Sequence, residues 1–207
     1  MAAPPQEELA PGALLLRRFA LPSAPELVAE IAKVAAAAPF RHMVTPGGHR
    51  MSVAMTNCGA VGWVTDQRGY RYETHDPTTG RPWPALPAAF LRLATAAAAA
   101  AGYRAVPPDA CLVNRYAPGA QMALHQDKDE RDATQPIVSV SLGLPAVFLF
   151  GGRQRADKAR RVALAHGDVV VWGGPSRHCF HGVLPLRDGV HALVGPQRFN
   201  LTLRCAR

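Results

Sequence analysis

The 207-residue sequence has only four cysteines, Cys58, Cys111, Cys179 and Cys205, and no C-x-x-C pair among them. This excludes a zinc ribbon and a dense disulfide framework, and the apolar runs around most of these residues predict buried free thiols in a reducing cytosol. Long hydrophobic runs are missing as well: no uninterrupted apolar stretch approaches the roughly 18 residues of a membrane span. Residues 1–12 lack a basic segment followed by an apolar one, so no export signal is read there. A soluble, cytoplasmic protein without a membrane partner is expected. Internal repeats and coiled-coil heptads are absent too. Acidic residues are few relative to basic ones, 15 Asp and Glu against 23 Lys and Arg, giving a formal charge of +8. That balance favours a polyanionic partner, although Ala and Arg richness points to genome composition as a second source of it.

What is present is enough for one sizeable domain, since 48% hydrophobic residues can build a core without staples. Residues 1–12, rich in Pro, Ala and Glu, predict a flexible tail, and 13–207 a single domain. Ala13–Leu21 reads as a strand. Ser23 and Glu26 have the spacing of a capping box, and Leu27, Ile31 and Val34 follow at helical spacing until Pro39. Residues 40–84 change character, with frequent Pro, Gly, Thr and Arg around scattered Trp63, Tyr70, Tyr72 and Trp83; such long irregular segments are usually binding loops or lids. A second helix runs from Pro87 to Ala101, its alanines suited to close packing on a sheet. From 110 onward the pattern is eight short strands, at 111–116, 121–125, 136–142, 146–150, 161–165, 168–172, 178–183 and 198–204, separated by Pro and Gly turns. The expected class is α+β, mainly β: a double-sheet jelly roll over 110–207, buttressed by the helices of 13–109.

The densest chemistry lies in 111–131, where a strand-like run delivers His125, Asp127 and Asp129 within five positions. On an extended strand His125 and Asp127 share a face, and an imidazole nitrogen converging with a carboxylate oxygen suits a divalent metal such as Fe(II). A solvated polar cluster after a strand is the alternative. His181 is the best third ligand, because enough chain separates it from Asp127 for intervening strands to return beside the first. The other His-x-Asp match, His166-Gly167-Asp168, lies between two apolar runs and reads as a hairpin connection. Cys179 is expected in the core. In the last strand Arg198, Asn200, Thr202 and Arg204 alternate with Phe199, Leu201 and Leu203, which puts two arginines on one face. Buried arginines call for an anion, and a dicarboxylate would serve; a solvent-facing edge strand is the alternative.

His125-Gln-Asp127, His181 and Arg198-x5-Arg204 resemble the iron and 2-oxoglutarate dioxygenases. Met43-Val-Thr-Pro-Gly-Gly48, Met51-Ser-Val-Ala-Met-Thr-Asn-Cys-Gly59, Asn114-Arg-Tyr-Ala-Pro-Gly119, Leu124-His-Gln-Asp-Lys-Asp129 and Asp168-Val-Val-Val-Trp-Gly-Gly174 look closely like the bacterial AlkB family of alkylation-repair dioxygenases, over roughly 13–204. The resemblance implies a double-stranded β-helix with a nucleotide-recognition lid at about 40–84, Fe(II), 2-oxoglutarate and O2. It makes His125, Asp127 and His181 the catalytic iron ligands. It gives Arg198 the distal carboxylate of the co-substrate, with Asn114, Tyr116, Asn200 and Arg204 completing that pocket. Trp63 would stack on a flipped base, Tyr70 and Thr45 would contact the nucleotide backbone, Asp129 would meet the exocyclic edge, and Met55 and Arg155 would lie by the substrate.

The implied reaction is oxidative demethylation of bases such as N1-methyladenine and N3-methylcytosine, releasing formaldehyde, succinate and CO2. The implied partner is single-stranded or locally opened DNA, with RNA a second candidate, and a monomer suffices. A carboxylate at Asp129 would select a base that methylation has made cationic, and methylation that blocks pairing lowers the cost of extruding that base. His49 and Arg50 stand where the family commonly has Tyr and Thr, and Met122 replaces a smaller aliphatic residue. Two other readings remain at this point: a dioxygenase of the same superfamily acting on a non-nucleic-acid substrate, and a non-catalytic single-strand binding module.

Overall fold

The computed structural model describes residues 5–104 and 106–207. The chain forms strands β1 (Gln6–Ala10), β2 (Ala13–Leu16), β3 (Ala54–Gly59), β4 (Gly62–Asp66), β5 (Gly69–Glu73), β6 (Ala110–Tyr116), β7 (Met122–His125), β8 (Ile137–Gly143), β9 (Ala146–Phe150), β10 (Arg160–Leu164), β11 (Val169–Trp172), β12 (His181–Val183) and β13 (Arg198–Arg204). Helices α1 (Ala24–Ala37) and α2 (Ala88–Ala100) complete it. A seven-stranded sheet has the order β1-β2-β11-β8-β13-β6-β3, a four-stranded sheet the order β10-β9-β12-β7, and β4 and β5 form a separate hairpin. Among the described residues the protein is therefore mostly β, with two α-helices.

Side-chain alternation divides the core into two layers. Phe199, Leu201 and Leu203 of β13, with Val138 and Val140 of β8, face the helices, meeting Leu27, Ile31 and Val34 of α1 and Phe90, Leu93 and Ala94 of α2. The period-2 strand faces a period-3.6 helix stripe, and small residues at Ala94, Ala97 and Ala98 let α2 lie close to the sheet. The opposite face of the large sheet meets the small sheet through Leu112, Ile137, Phe148, Phe150, Val162, Val170 and Trp172. β8 and β13 are buried at every position because they are central strands covered on both faces. The polar residues of β13 thus point into the space between the sheets.

Four expectations need correction. Residues 6–10 of the predicted flexible tail form β1, an edge strand paired with β2, while residues 1–4 lie outside the described residues. Edge pairing uses backbone groups that composition does not report, and Glu7 adds ion pairs to Arg17 (2.7 Å) and Arg160. The turn at Gly12 adopts φ +77°, and a Cβ there would meet Gly173 O at 2.6 Å. The first strand ends at Leu16 rather than Leu21. The capping box does not form either: a 3-10 turn at Leu21–Ser23 precedes α1, the Ser23 hydroxyl donates to Ala20 O (3.2 Å), and Glu26 pairs instead with Arg92 of α2 (2.8 Å). Finally, His166-Gly167-Asp168 is a turn but not a hairpin. β10 and β11 belong to different sheets, and the turn is a corner between them. Buried Asp168 holds that corner, accepting from Arg18 N (2.9 Å), Ala165 N (2.9 Å) and Arg17 Nη1 (3.0 Å). All four cysteines are free, with Cys58, Cys111 and Cys179 buried.

Candidate metal centre and co-substrate pocket

β7 and β12 are antiparallel neighbours in a register that sets His125 across from His181, their rings 4.3 Å apart at the centroids. Asp127 lies just past the end of β7, so the chain leaving the sheet, rather than strand alternation, brings its carboxylate back to the pair. Asp127 Oδ1 is 3.8 Å from His125 Nε2, and Oδ2 is 3.8 Å from His181 Nε2. One ligand atom from each residue lies within 4.8 Å of the others, a spacing that small side-chain rotations close onto one ion.

Both imidazoles are oriented alike. His125 Nδ1 donates to Ala123 O (2.8 Å) and His181 Nδ1 donates to Cys179 O (3.0 Å). A carbonyl only accepts, so the proton sits on Nδ1 and the Nε2 lone pair faces the cluster. Burial and the neighbouring His125 push the His181 pKa down to about 4, which keeps this imidazole neutral and able to ligate at pH 7. Burial opposes ionisation of Asp127, but Arg204 and the two imidazoles outweigh it and hold the carboxyl well below the usual range.

Arg204 donates from Nε (3.0 Å) and Nη2 (2.7 Å) to Asp127 Oδ2, which leaves Oδ1 for an ion. Its Nε is also 3.3 Å from Glu130 Oε1, and that oxygen accepts the Tyr72 O–H at 2.6 Å. Glu130 Oε2 accepts from Arg177 Nη2 (2.9 Å), and Arg177 donates onward to Asp127 O (2.7 Å) and Gln135 O (3.0 Å). Two buried arginines are thereby matched by two buried carboxylates, the arrangement in which burying charge is tolerable.

Arg198 has no such match. It is 1% exposed; Nη2 donates to Ser141 Oγ (2.9 Å), Nη1 makes only a long contact to Phe199 O (3.5 Å), and Nε has no partner. No carboxylate pairs with it among the described residues. Burial lowers its pKa. Tyr116, its register partner on β6, lies under the guanidinium at 5.4 Å, with its phenol pushed up to about 12 by burial. Asn200, the partner of Asn114, donates to Ser139 Oγ (2.8 Å), and Asn114 Oδ1 is unsatisfied. His125, His181, Asn114, Tyr116, Arg198, Asn200 and Arg204 line one cleft between the sheets. A buried unpaired cation and an unsatisfied amide beside a three-ligand cluster fit an anionic chelator bound next to a metal ion.

Over the cluster stands the β4–β5 hairpin. Trp63 Nε1 donates to Asp129 Oδ2 (2.8 Å), two residues beyond Asp127, and Trp63 and Tyr70 are stacked at 5.7 Å and 18°. Tyr70 is 50% exposed. Thr45 lies in the neighbouring 40–50 segment, its hydroxyl accepting from His49 N (3.1 Å), and Val44 O accepts from Thr65 of β4 (3.3 Å). Arg155 is exposed, its guanidinium over the Phe180 ring at 5.1 Å. Met55 does not reach the cleft surface: it is fully buried in the inter-sheet core, opposite Asn114 in register. Glu130, Arg177 and Ser141 are not among the residues the sequence singles out, and Tyr72 stands out there only as one of the scattered aromatics of 40–84. Glu130 adjoins the acidic run after His125 and could have been found there, whereas nothing local marks Arg177 as buried.

A family model for the 2OG-Fe(II) oxygenase superfamily matches residues 12–204. The chain is similar to alpha-ketoglutarate-dependent dioxygenase AlkB of Salmonella typhimurium, 60% identical with 99% of this chain and 94% of that protein covered. It is likewise similar to alpha-ketoglutarate-dependent dioxygenase AlkB of Escherichia coli K12, 59% identical with 99% and 95% covered. Among solved structures, OsALKBH1 superposes with a TM-score of 0.85 at 32% identity, covering 97% of this chain and 99% of that one. The chain belongs to the 2OG-Fe(II) oxygenase superfamily, and within it to the AlkB family of alpha-ketoglutarate-dependent dioxygenases.

Proposed function

We propose that this dioxygenase reverses alkylation damage by oxidative demethylation of N-alkylated bases in DNA, N1-methyladenine and N3-methylcytosine among them, with RNA a further substrate of the same chemistry. The observation that carries the base-directed part is the Trp63–Asp129 hydrogen bond, which joins a stacking indole and a carboxylate two residues from the metal cluster. His125, Asp127 and His181 hold Fe(II). Arg198 pairs with the distal carboxylate of 2-oxoglutarate, and Asn114, Tyr116, Asn200 and Arg204 line its site. Bound Fe(II), 2-oxoglutarate and O2 supply the oxidation, in which co-substrate loss of CO2 to give succinate accompanies hydroxylation of the N-methyl carbon and the base then releases formaldehyde.

The remaining work belongs to the protein's own side chains. Trp63 stacks on the extruded base, an interaction of about 1–3 kcal/mol that any base can make. Asp129 adds discrimination, because a carboxylate held at the pairing edge favours a base made cationic by methylation. Tyr70 and Thr45 contact the nucleotide backbone, Met55 backs the pocket from the core, and Arg155 stands at its rim. The 40–84 segment serves as a nucleotide-recognition lid on a double-stranded β-helix, with α1 and α2 as buttress, in one catalytic domain over 13–207 that acts as a cytoplasmic monomer. No helix among the described residues is long and apolar enough to cross a membrane.

The test is anaerobic reconstitution with Fe(II) and 2-oxoglutarate, then air and an oligonucleotide carrying one N1-methyladenine, read by mass spectrometry. Loss of one methylene mass, dependent on both cofactors and absent in His125→Ala, is the expected result. Succinate formation without a mass change in the oligonucleotide would refute the demethylase reading and redirect the search to another substrate of the same oxidation.

A further inference from the structure

From the end of β9 into the first two residues of β10 the chain passes through Gly151–Arg161, which carries five basic residues, Arg153, Arg155, Lys158, Arg160 and Arg161, against one acid, Asp157. The loop is fastened to both histidine-bearing segments. Gly151 N donates to Phe180 O (2.8 Å) and Phe180 N to Gly152 O (2.8 Å), immediately before His181. Gln126, between His125 and Asp127, donates to His178 O (2.6 Å) and to Arg153 O (3.4 Å). Its charges are left unbalanced. The Asp157 carboxylate is engaged by the backbone, Oδ2 accepting from Gln154 N (2.9 Å), and Arg160 is engaged by Glu7. Arg153, Arg155, Lys158 and Arg161 are exposed, and none has an acidic partner among the described residues.

The hairpin that carries Trp63 is different. On the β4–β5 hairpin Arg71 is held by Asp66 (2.9 Å) and Glu73 (2.6 Å), and Arg68 lies 3.4 Å from Asp66. The hairpin therefore offers stacked Trp63 and Tyr70 with its charge neutralised, and the 151–161 segment offers free cations. A nucleic-acid strand has two faces of matching kind, bases that stack and phosphates that seek cations.

We propose that the 151–161 loop is a phosphate track, on which Arg153, Lys158 and Arg161 engage backbone phosphates flanking the target nucleotide, beyond the rim position of Arg155. This rests on the nucleic-acid reading above. The exposed point charges read no sequence, so the track extends the footprint without restricting the bases it accepts. Engaging three phosphates on a single strand steepens the dependence of log K on log[salt] by about 2, equivalent to about 100-fold in affinity near 0.1 M salt.

The experiment uses the protein loaded anaerobically with Fe(II) and 2-oxoglutarate. Binding is measured by fluorescence anisotropy over a salt series, for a trinucleotide centred on N1-methyladenine and for a longer single strand with the same centre. The Arg153→Ala, Lys158→Ala, Arg161→Ala triple variant should bind the long strand about 100-fold more weakly, with a salt slope shallower by about 2. Its trinucleotide affinity and single-turnover demethylation should equal those of the unmodified protein. Lysine at 153 and 161 with Lys158 retained should restore the slope. An unchanged slope on the long strand, or equal losses on both lengths, would overturn the track. Failure of the unmodified protein to demethylate the trinucleotide would strike the demethylase reading instead, while the slope would still decide the track.

Discussion

Replacing Arg198 by Met should stabilise the ligand-free protein while abolishing its response to 2-oxoglutarate. The guanidinium is 1% exposed and pairs with no carboxylate, so the ligand-free fold carries a desolvated charge with two of its five N–H groups engaged. Exchanging buried charge for a hydrophobe of similar volume is neutral or stabilising by about 1–4 kcal/mol, less about 1 kcal/mol for the partner that Ser141 loses. The expected net runs from about 1 kcal/mol against the variant to about 3 kcal/mol in its favour. The ligand-bound state moves the other way, since losing one member of a buried ion pair costs about 2–5 kcal/mol, or 30- to several-thousand-fold in affinity. At 100 times the dissociation constant the co-substrate stabilises the unmodified protein by about 2.7 kcal/mol, a Tm rise of about 5–10 °C for a chain of this size. Thermal unfolding with a redox-inert divalent ion, with and without 2-oxoglutarate, reads both effects. A variant destabilised by more than about 2 kcal/mol that still shifts with 2-oxoglutarate would refute the assignment, making Arg198 a structural residue satisfied by Ser141.

A Cβ on Gly182 would sit 2.7 Å from Met122 O and 3.2 Å from Leu124 N, so Gly182→Ala should pry β12 from β7, cost about 1–3 kcal/mol of stability, and weaken metal binding more than 2-oxoglutarate contacts predict, as titration with Mn(II) would register. Trp63→Phe keeps a stacking ring but frees Asp129, and competition assays should show the preference for a cationic methylated base over an uncharged lesion falling about tenfold, from loss of a bond of about 1.5 kcal/mol. An unaltered preference would detach Asp129 orientation from Trp63. Burial and the neighbouring His191 depress the His166 pKa below 6.5; the unfolded chain therefore takes up a proton first, and stability present above pH 6.5 erodes as the pH falls below it. Urea unfolding at about pH 8 and about pH 5 should reveal this, with a smaller difference in His166→Gln; an identical difference would exclude His166 as its source.

Much of the architecture was legible because β8 and β11 are rich in β-branched residues and end at Gly, and the alternation in 198–204 correctly separated the helix-facing residues from the cleft-facing ones. Helical spacing at Leu27, Ile31 and Val34 likewise reported their burial. The failures were of another kind. His166-Gly167-Asp168 has the chemistry of a tight turn, and a turn it is, but which strands it joins depends on pairing partners distant in sequence. β1 pairs through its backbone with β2, and Glu7 adds ion pairs to Arg17 and to Arg160, the latter far along the chain, which no local pattern around Glu7 can announce. The cluster residues were readable as chemistry, whereas Arg177 is tied to Glu130 and to the Asp127 backbone only by burial, a property of the folded chain.

The chain of contacts from Tyr72 through Glu130 and Arg204 to Asp127 has a consequence for how such a protein can diverge. The hairpin that carries Trp63 and Tyr70 is free to vary in its turn and on its outer face, and new recognition surfaces can be tried there without cost to the oxidation chemistry. Position 72 is the exception. A change there is felt at once by the carboxylate of the metal cluster, so it marks the boundary between the part of the molecule open to experiment and the part that is held fixed.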